Sequence, residues 1–96
     1  MGCEYSVKCT VADPAVRHDI LQGLPHFSRT DRAGERDQTY LYRRPENDGQ
    51  LPNALIETTP EGFYFCDYGE GLDILKEFVF WLALHGGPVE VVDHNE

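Results

Sequence analysis

The fourteen residues from Leu72 to His85 contain no glycine or proline, and they lie between Gly69-Glu70-Gly71 and Gly86-Gly87-Pro88. At about 3.6 residues per turn, Leu72, Leu75, Phe78, Val79 and Leu82 fall on one side of a helix. The glycines and proline that follow supply the stop signal. The spacing predicts a helix over 72–85. An apolar stripe of this kind must be buried, and a chain of 96 residues has one core in which to bury it. The whole chain, 1–96, is therefore read as a single domain.

The remaining segments supply the surface on which that helix packs. From Cys3 to Val11 the odd positions read Cys, Tyr, Val, Cys, Val and the even ones Glu, Ser, Lys, Thr, the alternation of a half-buried strand. Asp13-Pro14 is an N-cap acceptor followed by proline at the first helical position. Val16, Ile20 and Leu24 then recur at spacing four, until Gly23 and Pro25 close the segment. Residues 26–38 show no period and are expected to form a long loop. Thr39–Arg43, Ala54–Thr59, Gly62–Tyr68 and Val89–Val92 read as strands, the middle two forming a hairpin around Pro60-Glu61-Gly62.

The order is β-α-β-β-β-α-β. Each helix must cover one face of a sheet, so the expected class is two-layer α+β. The sheet is mostly antiparallel with four to five strands, both helices lie on one face, and the topology is a ferredoxin-like variant. Such a fold hosts many functions and selects none. The tyrosines of Thr39–Arg43 (Tyr40, Tyr42) and those of the fourth strand (Tyr64, Tyr68) each share one side of their strand. Which side faces outward is left open by the pattern.

The helix over 72–85 carries more apolar surface than one core requires. The side opposite its stripe begins with Asp73, Lys76 and Glu77 and then continues as Phe80 and Leu84, with Trp81 beside them. Either the loop, the tail or the first helix covers these side chains, or they form a contact surface for another chain. Aromatic anchors of this kind are enriched at interfaces. The expected interface is Phe80, Trp81, Leu84, Asp73 and Glu77, in its simplest form that of a homodimer.

Charge points to the kind of partner. Hydrophobic residues at 41% and charged ones at 26% fit a folded domain, and the formal net charge is −9. Residues 1–44 hold seven bases and six acids, whereas residues 45–96 hold eleven acids and Lys76 alone. Five of the six arginines lie between Arg29 and Arg44. An acidic chain repels phosphate, which disfavours nucleic acid as a partner. A basic protein partner fits better, and a small acidic domain suits an inhibitor or immunity-type role. No apolar run approaches the ~20 residues of a membrane span, and no leader opens the chain.

The sequence supplies little chemistry. Cys3, Cys9 and Cys66 lack metal-ligand spacing, and His18, His26, His85 and His94 are scattered, so no metal or cofactor is expected. An odd number of cysteines suits a reducing, cytoplasmic setting, with Cys3 and Cys9 on the apolar side of the first strand. Asp67, Glu70 and Asp73 suit the positive end of a helix dipole better than a cation loop. Met1-Gly2-Cys3-Glu4-Tyr5-Ser6 matches a short acylation pattern that often arises by chance. No catalytic residue is assigned. The competing reading is a small-ligand or anion-binding protein, or a modest enzyme, with His26, Arg29, Arg32 and Arg43 around the 26–38 loop.

Overall fold

The computed structural model describes residues 2–32 and 38–95. Its elements are β1 (Cys3–Lys8), α1 (Pro14–Gly23), β2 (Phe27–Arg32), β3 (Gln38–Tyr42), β4 (Ala54–Thr59), β5 (Gly62–Asp67), α2 (Leu72–Leu84) and β6 (Glu90–Asp93). The fold is two-layer α+β. One antiparallel sheet runs in the order β2-β3-β4-β5-β1-β6, and both helices contribute to the core on one face of it.

Two expectations are corrected. The sheet has six strands rather than four to five, because much of the expected 26–38 loop is β2, which pairs with β3 from Phe27↔Tyr42 to Arg32↔Gln38. An edge strand has only one neighbour, so Phe-Ser-Arg-Thr-Asp-Arg needs no apolar alternation to form it. The topology is also not ferredoxin-like. Four strands run consecutively from β2 to β5 where that unit has two, leaving β1 and β2 parallel with three strands between them.

The register fixes the faces. Val7, Phe63, Phe65, Ile56, Tyr40, Tyr42 and Ala54 are paired neighbours on one face, and all are buried. Helix α1 begins as its sequence requires, with the Asp13 carboxylate accepting from the Ala15 N–H at 2.9 Å. It then buries Ile20 and Leu21. Tyr40 and Tyr42 are therefore core residues under α1. The Tyr42 hydroxyl donates to the Leu21 carbonyl at 2.5 Å, and the Tyr40 hydroxyl lies 2.7 Å from His18 Nδ1. Burial pushes both phenols above their ordinary pKa.

Tyr64 and Cys66 face the other way, on the side the helices leave open. There the Tyr64 hydroxyl donates to Glu4 at 2.6 Å, while Gly2 rests against Cys66 and Tyr68. The two tyrosine pairs thus divide between the faces. Cys9 is half-buried against the core, but Cys3, expected to be buried like it, is exposed. It opens β1 opposite Asp67, at the polar end of the sheet.

The stripe of α2 is rotated slightly from its expected position. Ile74, Leu75, Phe78 and Leu82 are buried, whereas Leu72 is exposed and Val79 only partly buried. Leu72 and Val79 sit about 105° and about 85° around the helix from the centre of that set, so they mark its margin.

Candidate functional site

The rotation of α2 decides what the molecule shows to its surroundings. With Phe78 and Leu82 pointing into the core, Phe80 (56% exposed), Leu84 (61%) and Trp81 (41%) point away from the sheet. Neither the β2–β3 region as described nor the tail covers them. The Phe80 and Trp81 rings meet edge to face at 5.7 Å. Trp81 turns toward α1, where it lines a hollow of about 210 Å³ with Asp19, Ile20, Gly23 and His85. Phe80 lines a shallower one of about 490 Å³ with Pro25, Asp73, Lys76 and Glu77. All five residues expected at an interface therefore share one side of α2, and Asp19 adds a further acid from α1.

Both ends of α2 are held. At its start Asp67 accepts from the N–H groups of Gly69 and Gly71 at 2.8 and 3.0 Å. Gly71 itself must be glycine, because a Cβ there would sit 2.9 Å from Asp67 Oδ1 and 3.0 Å from the Asn53 carbonyl. The Arg44 guanidinium reaches Asp73 at 2.8 Å, Glu46 at 3.1 Å and Glu70 at 3.9 Å. That contact holds the Asp73 carboxyl below the usual carboxylate range. At the other end His85 N–H bonds back to Trp81 and Leu82, and Thr10 donates to the Gly86 carbonyl at 2.8 Å. The patch stands on a helix that is fixed rather than fraying.

Asn53 organises the loop that carries Arg44, a role no local pattern signalled. Its side-chain oxygen accepts from the Arg44 N–H at 2.8 Å and from Asn47 Nδ2 at 2.9 Å, and its own Nδ2 donates to the Gly69 carbonyl at 2.8 Å. Its backbone also bonds Tyr42 and Tyr68. Asn53→Ala takes the partner from three part-buried polar groups, the Arg44 N–H, Asn47 Nδ2 and the Gly69 carbonyl, so it is expected to lower the unfolding free energy by roughly 1–3 kcal/mol. A urea titration followed by circular dichroism measures this, and a change within error of zero would refute the role.

The residues of the competing ligand reading are only partly brought together. Arg29 and Arg43 both line a hollow of about 70 Å³, far below the ~300–1,000 Å³ of ligand pockets. The Arg43 guanidinium donates to the carbonyls of Gly49 at 2.7 Å and of Asn47 and Gln50 at 3.4 Å, and so braces the 44–53 loop. Arg29 lies 3.5 Å from Asp31 on the surface. His26 adopts φ 65° and lends its carbonyl to the Arg43 N–H at 2.8 Å. The side chain of Arg32 lies outside the described residues, as does Arg36. A larger open hollow of about 680 Å³, between residues 46–53 and Tyr68–Glu70, is lined by none of His26, Arg29 and Arg43.

Ser6 and His94 form another pair hidden from the sequence. The β1–β6 register sets Ser6 Oγ 2.7 Å from His94 Nε2 on the open face, 88 positions apart in the chain. The contact ties the tail to β1, beside the backbone bond from His94 N–H to the Glu4 carbonyl at 3.0 Å. Among the described residues, no three His, Cys, Asp or Glu side chains converge in a way that could hold a metal ion. No helix among them is long and apolar enough to cross a membrane.

Comparison with known proteins gives no family: no family model matches the chain, and neither a curated protein nor a solved structure matches it. The function has to be argued from the site.

Proposed function

We propose that this chain is a small acidic protein-binding module whose contact surface is the outward side of α2, and that its partner is basic. The observation that carries the reading is the joint exposure of Phe80, Trp81 and Leu84 on a helix pinned at both ends. A monomer seldom leaves neighbouring aromatic and aliphatic side chains uncovered without a use for them. Asp19, Asp73 and Glu77 surround them, with Lys76 the one cation among the residues lining these hollows. That rim repels a second copy of itself and attracts a basic surface, speeding encounter while the apolar centre supplies affinity. An inhibitor or immunity-type role against a basic protein is consistent with both features.

Phe80→Glu combined with Leu84→Glu should weaken partner binding about a hundredfold or more, since two central apolar anchors are lost and two acids are buried in their place. Both positions are exposed, so the thermal unfolding midpoint should barely move. The test is a pull-down from source lysate at low and high salt, followed by titration of the recovered partner against Trp81, the chain's single tryptophan. Recovery of a basic protein, a change in Trp81 fluorescence on binding, and loss of both in the double variant are expected. Equal recovery by wild type and variant would reject this surface.

A further inference from the structure

The sheet ends at β2 on one side and β6 on the other, and among the described residues no strand pairs with either outer edge. An open edge presents unpaired N–H and C=O groups, which natural proteins often shield with lysine or proline. The edge strand β2, Phe-Ser-Arg-Thr-Asp-Arg, has neither, and its protection consists of a bulge at one end and of three charged residues, whose signs decide what the edge can pair with. We propose that β2 is a self-association edge, on which β2 of a second copy adds as an antiparallel strand about a two-fold axis through Thr30.

The register follows from the charges. Arg29 and Asp31 pair with Leu41 and Thr39, which places them on the helix-free face, while Thr30 opposite Tyr40 lies on the other. Residues paired across two strands share a face, so a two-fold axis joining the sheets must pass through a residue rather than between two. A bulge between Phe27 and Arg29 leaves Arg29 to Arg32 as the straight part of the strand, and because an axis at Arg32, its last residue, would pair only that residue within β2, three centres remain. An axis at Arg29 sets two guanidinium groups against each other, and an axis at Asp31 sets two carboxylates together. An axis at Thr30 places Arg29 opposite Asp31 of the second copy, and Asp31 opposite its Arg29. In each copy these side chains now share a 3.5 Å contact along their own strand. Directly opposed positions across two strands, with Cβ atoms ~5 Å apart, suit such pairs better.

The charge distribution selects this edge over the other open surfaces. Two copies at −9 repel, and the excess acid lies in residues 45–96. The β6 edge belongs to that half and reads Glu-Val-Val-Asp, without a cation. The outward side of α2 has its acidic rim. β2 lies in the nearly neutral first half, where alone the signs are self-complementary. Main-chain hydrogen bonds over a short strand give the affinity, so the dimer is weak and reversible. In it the two sheets become one, and both α2 surfaces emerge on the same side.

Sedimentation equilibrium of the full chain over a concentration series tests this, with circular dichroism verifying that each variant is folded. Wild type should show a monomer–dimer equilibrium. Arg29→Asp alone, or Asp31→Arg alone, should lower the association constant about tenfold, because attractive cross-strand pairs become repulsive ones. The double variant Arg29→Asp/Asp31→Arg should restore it, since exchanging the signs preserves the complementarity. A wild type that stays monomeric throughout overturns the proposal, as do single reversals without effect or a double variant that fails to recover. A dimer abolished by Phe80→Glu with Leu84→Glu, yet indifferent to Arg29 and Asp31, would overturn it by moving self-association to α2. That result would leave the protein-binding role of α2 standing.

Discussion

Phe78→Ala is expected to destabilise the protein by about 3–5 kcal/mol, a large part of the ~5–15 kcal/mol that holds a domain of this size together. Phe78 is wholly buried on α2, and its ring meets Phe63 edge to face at 4.8 Å and 80°. Phe63 is in turn capped by Arg17, whose guanidinium carbon lies 4.8 Å from the ring centroid. That guanidinium also donates to the carbonyls of Val11 at 2.7 Å and Thr59 at 3.0 Å. Removing the Phe78 ring leaves a void that its surroundings cannot readily fill. The sheet below is paired on both sides of β5, and α2 above is held at each end by Arg44–Asp73 and Thr10–Gly86. Chemical unfolding should show the midpoint shift at nearly constant slope. A loss below about 1 kcal/mol would mean that α2 can settle onto the sheet, and the pinned-helix account of the patch would fall with it.

Gly62→Ala should be comparably damaging for a different reason. Gly62 opens β5 with φ 156°, paired with Thr59 on one side and Lys8 on the other. A Cβ there would lie 2.0 Å from the Val7 carbonyl oxygen and 3.1 Å from Lys8 Cα. Both are backbone atoms of β1, so no side-chain rotation relieves the clash and β1 must move away from β5 in the interior of the sheet. A cost of about 3 kcal/mol or more is expected, at the upper end for overpacking. Gly23→Ala is the control. Nothing lies within 4 Å of a Cβ at that last position of α1, and exchanging glycine for alanine there should leave stability unchanged or raise it slightly. Thermal melts of the two variants side by side decide the matter, and similar melting temperatures would contradict the steric argument.

How much of this could be read beforehand depended on whether the deciding interaction was local. Asp13-Pro14 announced the start of α1, and the glycines around Leu72–Leu84 announced both limits of α2. In each case the signal lies within a few residues of what it controls. The surplus of Phe80, Trp81 and Leu84 was equally legible, because helical spacing alone turns Phe80 and Leu84 away from Phe78 and sets Trp81 beside them. Strand β2 was not legible, since a polar edge strand is stabilised by the hydrogen bonds of β3 rather than by its own pattern. The same holds for the tyrosines. Tyr40 and Tyr64 look alike in sequence, and only the pairing of β3 through β4 to β5 sends the first under α1 and the second to the open face.

The candidate site divides in the same way. That a helix over 72–85 would carry spare aromatic surface, and that acid would dominate the second half of the chain, follow from composition and period. Residue type and short spacing fix both without reference to any other segment. That Asp19 joins Asp73 and Glu77 around the surface, that Arg43 is taken up by loop carbonyls, and that Asn53 ties Arg44 to α2 were decided by tertiary structure alone. Each depends on segments distant in the chain being brought together, or on a loop closing upon itself. Strand register and helix packing set those meetings, and they are properties of the whole fold.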